Sequence, residues 1–228
     1  MKELEKIYGI KIDNVDYFKT ALTHPSYAQE NGLNYTDNYE RMEFLGDAVL
    51  KLAISQILFE KYSEYKEGEL SKIRSIVVSD ATLFKIAKEI GLQKYIILAK
   101  HEDKVGLRKI ESVCACAFEA VLGAFYLDGK LNEVVKFLKT VFEPYINEVD
   151  KHFEKYNAKA ILQEYTQSIN KQTPVYKLID TQGPQHDKVF TVSVFYNDKE
   201  IAQGQGKSKK EAEQNAAQSA CKNLGVIK

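Results

Sequence analysis

The chain has 228 residues, 44% hydrophobic and 28% charged, with 32 basic side chains balanced by 32 acidic ones. That composition suits a globular protein with one large or two smaller cores and excludes a disordered or low-complexity chain; no apolar run approaches the roughly 20 residues that a membrane-spanning helix needs. The three cysteines, Cys114, Cys116 and Cys221, are too few for a disulfide framework and lack zinc-knuckle spacing, so Cys114 and Cys221 read as small buried hydrophobes.

The N-terminal stretch MKELEKIYGIKID is charged and has no uninterrupted apolar core, which points to a cytosolic protein without a signal peptide. Apolar residues at helical spacing then predict helices over Asp16–Leu22, Glu40–Tyr62, Gly68–Val78, Asp80–Ile90, Ser112–Leu127 and Leu131–Phe142. Ser79-Asp80 opens one of these and Gly91 closes it, while Asp128-Gly129 makes a turn after another. Nothing before about residue 153 alternates with period two, so this part reads as all-α.

The helix YERMEFLGDAVLKLAISQILF carries Glu40, Glu43 and Asp47 along its first half. Four residues advance about 40° and about 6 Å along a helix, so Glu43 and Asp47 can converge on one ion, with Glu40 a turn earlier on nearly the same face. Gly46, costly in mid-helix, implies close approach by another backbone. The helix SVCACAFEAVLGAFYLD is apolar nearly all round and should be buried, yet Glu119 sits in its middle. Such a carboxylate needs an ion pair or a metal. Gly123 facing Gly46 would bring Glu43, Asp47 and Glu119 together; pairing of Glu119 with a buried Arg41 or Arg74, with Glu40 and Glu43 solvated, is the competing arrangement. Carboxylates without His or Cys partners favour a hard cation such as Mg2+ or Mn2+, and such ions in acidic sites handle phosphates. Glu67 and Glu69 in EYKEGELSKIRS are ordinary acidic residues at a helix start.

The segment DKHFEKYNAK is charged and thinly apolar, as a linker is. Beyond it the pattern changes to helix Ala158–Ile169, strands Pro174–Asp180, Val189–Tyr196 and Glu200–Gly206, and a closing helix Ser208–Leu224 with Ser208 as N-cap. The order is α-β-β-β-α. From Asn157 onward ten lysines face seven carboxylates with no arginine, a surplus of three positive charges; the preceding part carries the matching deficit. Lys207, Lys209 and Lys210 cluster at the start of the closing helix, where backbone N–H groups also favour phosphate, although a solvated helix end looks the same in sequence. Gly204 and Gly206 beside them permit close approach.

The segment ERMEFLGDAVL (Glu40–Leu50) resembles the signature of bacterial ribonuclease III, a double-strand-specific endoribonuclease. LTHPSY (Leu22–Tyr27), EGELSKIRS (Glu67–Ser75) and FEAVLGAFYLDG (Phe118–Gly129) match it in the same order, and the C-terminal part resembles the double-stranded RNA-binding domain that follows in that family. The resemblance spans nearly the whole chain. It implies a multi-domain protein: an all-α endonuclease domain over 1–153, a linker at 154–157, and an α+β double-stranded RNA-binding domain over 158–228. It implies a cytoplasmic homodimer joined through the endonuclease domains, with two active sites in a shared valley and no organic cofactor. Glu43, Asp47 and Glu119 would hold Mg2+, with Mn2+ as a substitute; Asp47 and Glu119 are the pair most tied to hydrolysis, and Glu40 and Glu67 help to engage RNA and water near the scissile bond. The reaction is hydrolysis of double-stranded RNA to 5′-phosphate and 3′-hydroxyl ends with a two-nucleotide 3′ overhang, as in rRNA and mRNA precursor processing. His24, within LTHPSY, reads as structural.

In the second domain the resemblance sets Gln163, Glu164 and Gln167 of the first helix, and Pro184, Gln185 and His186 of the loop TQGPQHDK, against the minor groove. Lys207, Lys209 and Lys210 would take phosphates across the major groove. Such contacts read A-form shape and 2′-hydroxyls over about 16 base pairs. Two positions depart from the family: Tyr39 stands where Asn is usual, and Cys116 replaces an Asp expected beside the metal. A thiol suits Mg2+ poorly. Retained activity with weaker metal binding or a preference for Mn2+, a catalytically impaired RNA-binding dimer, and a thiolate ligand for a softer metal are the three readings this leaves.

Overall fold

The computed structural model describes residues 1–184 and 187–227, which divide into two compact units, Met1–Glu148 and Val149–Lys228. Among the described residues no helix is long and apolar enough to cross a membrane.

The first unit is helical. Its order is α1 (Lys2–Tyr8), α2 (Val15–Leu22), α3 (Pro25–Glu30), α4 (Glu40–Lys61), α5 (Glu67–Val77), α6 (Asp80–Glu89), α7 (Lys100–Lys104), α8 (Glu111–Leu127) and α9 (Leu131–Lys151), with short 3-10 turns between some of them. The six helices expected from periodicity are present with shifted ends; α1, α3 and α7 are additional. Helix α8 is the centre of the unit: Phe118, Val121, Leu122 and Phe125 are fully buried, with α2, α4 and α6 packed around them. Phe125 meets Tyr8 and Phe18 at ring-centroid distances of 5.1 and 4.6 Å, which ties α1 and α2 to it. In α9 the buried residues Val134, Leu138, Phe142 and Ile146 recur every fourth position and form one stripe. The helix continues through Pro144, beyond the end at Phe142 that the sequence suggested.

The second unit comprises α10 (Phe153–Asn170), β1 (Val175–Gln182), β2 (Val189–Tyr196), β3 (Lys199–Gly206) and α11 (Lys209–Asn223). Residues 154–157, read as the linker, are helical and belong to the first turns of α10. The sheet is antiparallel in the order β1-β2-β3, with a bulge between Leu178 and Asp180. Asn197 and Asp198 both take positive φ, 51° and 59°, the requirement of a two-residue type I′ hairpin turn. The core is small: Leu162, Val192 and Val194 with Ala158 and the alanine stripe Ala212, Ala216, Ala217 and Ala220. Those alanines let α11 lie close on β3. A Cβ on Gly204 would overlap the backbone of α11 at Ala216, and one on Gly206 would stand 2.6 Å from the Ala212 nitrogen. The close approach that these glycines permit is therefore that of α11. Ser208 caps α11, accepting from the Glu211 N–H at 3.1 Å.

Candidate functional site

Helices α4 and α8 meet at two glycines. A Cβ on Gly46 would overlap the backbone carbonyl of Glu119, and one on Gly123 would overlap that of Met42. The contact sets Glu119, half-buried in an otherwise apolar helix, opposite the Glu43–Asp47 side of α4. The result is a recess of about 560 Å³ lined by five carboxylates, Glu40, Glu43, Asp47, Asp80 and Glu119, and by the Lys51 ammonium. Glu43, Asp47 and Glu119, expected to meet, line this one recess. Asp80, which the sequence showed only as the residue after an N-cap, comes from a third helix, the first turn of α6.

Burial, then the charges of Asp47, Glu43 and Asp80, push the Glu119 carboxyl up to about 8, with Lys51 opposing. No arginine relieves it: Arg74 donates to the Ser55 hydroxyl at 2.6 Å, and Arg41 lines a different recess beside Phe44 and Leu127. The arginine pairing weighed in sequence is therefore absent. The nearest positive charge is Lys51, whose Nζ is 2.7 Å from Asp47 Oδ2. Burial, with Glu43, Glu119 and Asp80 nearby, pushes the Cys116 thiol up to about 12. Among the described residues no three His, Cys, Asp or Glu side chains are drawn together to hold a metal ion as they stand. In chemistry the set fits a hard divalent cation: the acidic side chains lining the recess offer carboxylate oxygens, and half-buried Glu119 has no arginine beside it.

Glu67 is not brought to this recess within the chain. It lies on the first turn of α5, accepts from the Ser71 hydroxyl at 2.7 Å, and lines a second recess with Leu52, Phe59 and Arg74. The reason is the length of α4: Phe59 is sixteen residues, about 24 Å of helix, beyond Glu43. His24 is structural. It is the N-cap of α3, where Nδ1 accepts from the Ser26 N–H at 3.0 Å, and its ring meets Tyr39 edge-on at 5.4 Å. Tyr39, at the position where Asn is usual, is buried and donates its N–H to the Thr23 carbonyl at 2.9 Å.

In the second unit, Gln163, Glu164 and Gln167 are exposed on α10, while Leu162 and Thr166 turn inward. Lys207, Lys209 and Lys210 are exposed at the start of α11. Lys207 also reaches Asp187 Oδ1 at 2.8 Å, linking the helix start to the loop that holds Pro184. Pro184 is exposed, and its carbonyl accepts from the Asp187 N–H at 2.9 Å. Gln185 and His186 lie outside the described residues.

Comparison with known proteins agrees with this division. Residues 14–145 match the family model described as Ribonuclease-III-like, and residues 158–224 match the Double-stranded RNA binding motif. Ribonuclease 3 of Staphylococcus aureus is 41% identical over 220 residues, which cover 96% of this chain and 90% of that protein. Two solved structures of the nuclease domain of ribonuclease III from Campylobacter jejuni, one of them described for flexibility in its dimer-forming region, are each 32% identical with a TM-score of 0.54. They cover 64% and 65% of this chain and 96% and 94% of their own. A half-buried carboxyl set against two others across a glycine contact, followed by a lysine-edged α-β-β-β-α unit, thus belongs to a chain of the ribonuclease III family, an endoribonuclease with a double-stranded RNA binding motif.

Proposed function

We propose that the protein hydrolyses double-stranded RNA in a divalent-metal-dependent reaction, leaving 5′-phosphate and 3′-hydroxyl ends with a two-nucleotide 3′ overhang. Residues 1–153 carry the chemistry, residues 158–228 grip the duplex, and 154–157 join them. The observation that carries this reading is Glu119: a half-buried carboxyl facing Asp47 and Glu43 with no arginine beside it. When bound, Mg2+, or Mn2+ in its place, supplies positive charge to the phosphate and acidifies water near neutral pH. Glu43, Asp47 and Glu119 would hold the ion, Asp47 and Glu119 being the pair on which hydrolysis would depend most. Glu40, at the rim, orders water and the approaching backbone. Lys51, paired with Asp47 at 2.7 Å, would offer its ammonium to the phosphate.

Two copies complete the enzyme. Along α4 the large apolar side chains Phe44, Leu52 and Phe59 are 83%, 57% and 74% exposed, a stripe that a second copy would cover. Cleavage of both strands calls for two such sites, and Glu67 serves at the rim of that assembly. Gln163, Glu164, Gln167 and the loop at Pro184, Gln185 and His186 follow the minor groove, with Lys207, Lys209 and Lys210 on phosphates. Processing of rRNA and mRNA precursors in the cytoplasm is the corresponding cellular work.

The test is incubation with a long RNA duplex in Mg2+, in Mn2+ and with a chelator, with product ends mapped, beside Cys116→Asp and Glu119→Gln variants. Cleavage that needs the metal, and falls about 1000-fold in Glu119→Gln (about 4 kcal/mol) while duplex binding stays within about twofold, supports the proposal. Cleavage by Cys116→Asp alone would make the natural chain a binder; cleavage by none of the proteins would remove the hydrolytic assignment.

A further inference from the structure

We infer that Asp80 is a working carboxylate of the metal site, supplying from α6 the oxygen donor that α8 lacks at Cys116. The inference rests on the metal-dependent reading above and adds a residue to it. Four observations support it. Asp80 lines the same recess as Glu43, Asp47 and Glu119. It lies close enough to both Cys116 and Glu119 for its charge to act on each. No hydrogen bond or ion pair engages its carboxylate among the described residues, whereas Asp47 is held by Lys51 and Glu67 by Ser71. Finally, α8 presents a sulfur at Cys116, with Glu43, Glu119 and Asp80 among its neighbours, and thiols are poor partners for Mg2+.

The bland alternative is a favourable charge on the first turn of a helix. The two differ in what they require. A helix-end charge stabilises α6 and leaves ion affinity alone; a donor changes ion affinity with little effect on the ion-free protein. Residue type separates them further. Asn at position 80 keeps the size and polarity suited to a helix start but gives up the anionic oxygen, while Glu keeps the charge.

The experiment counts Mn2+ bound to the full chain by electron paramagnetic resonance, without RNA, for the parent, Asp80→Asn, Asp80→Glu, the Asp80→Asn/Cys116→Asp double variant and Glu119→Gln. Thermal midpoints are measured without metal. Expected are at least tenfold weaker Mn2+ binding in Asp80→Asn, most of it restored by Asp80→Glu and by Cys116→Asp in the double variant, with ion-free midpoints within about 2 °C of the parent. Parent-like Mn2+ binding in Asp80→Asn alongside lost binding in Glu119→Gln would overturn the role of Asp80 and keep the recess as the metal site. A lower ion-free midpoint together with undiminished affinity would assign Asp80 to the helix end and likewise overturn it. Parent-like binding in Glu119→Gln, or no binding by the parent, would instead remove the metal assignment itself.

Discussion

Glu119 and Lys209 stand under opposite rules. Glu119 matters because its helix withdraws it from water: the apolar surface of α8, the two glycines and the neighbouring carboxylates together raise its proton affinity. Lys209 and its neighbours are left in water by their helix, where, on the proposed reading, a duplex would meet them. The helical unit builds a site by close packing, so its tolerances are steric. The α-β-β-β-α unit builds a surface over a core made largely of alanines, so its interior limits only how closely α11 lies on the sheet. One chain therefore joins a site sensitive to tenths of an ångström to a face sensitive to ionic strength.

The largest effect expected from this contrast is that of Gly46→Ala. The added methyl group overlaps the Glu119 carbonyl, so α4 and α8 must separate, at about 3 kcal/mol or more. Urea denaturation followed by a probe in the helical unit checks it. Cleavage should be lost while duplex binding by the second unit persists; loss of both together would dissolve the contrast. Next comes replacement of Lys207, Lys209 and Lys210 by Ala. Affinity for duplex RNA near physiological salt should fall about 100-fold, with the salt dependence shallower by about 2 to 3 logarithmic units per decade. Thermal stability should barely move, and titrations at three salt concentrations read the slope. The smallest effect is a pH slope in the metal-free protein. The folded Glu119 carboxyl keeps its proton up to about 8, whereas the unfolded chain releases it near 4.5. Between those values the folded state binds more protons, so stability falls as pH rises. Glu119→Gln should flatten that part of the profile, and a profile unchanged by the variant would place the carboxyl in water.

Much of the helical unit could be read from sequence because its signals are local. Glu119 stands out in an apolar helix, and Gly46 and Gly123 announce a close crossing before any coordinates exist. The type I′ turn at Asn197-Asp198 and the N-cap at Ser208 are legible for the same reason. What escaped depends on tertiary context. Helices α1, α3 and α7 are too short to show a period and are held by neighbours such as the Tyr8 contact with Phe125. The end read at Phe142 is overridden by the buried stripe of α9, which carries the helix through Pro144. Asp80 looks like any acidic residue opening a helix until α6 is packed beside α8. Glu67 looks like a companion of Glu43 until the full length of α4 separates them.

The Lys51–Asp47 pair has one more consequence. If a dication binds there as proposed, it would meet an ammonium group already on Asp47 and would compete with it rather than fill bare anionic ground.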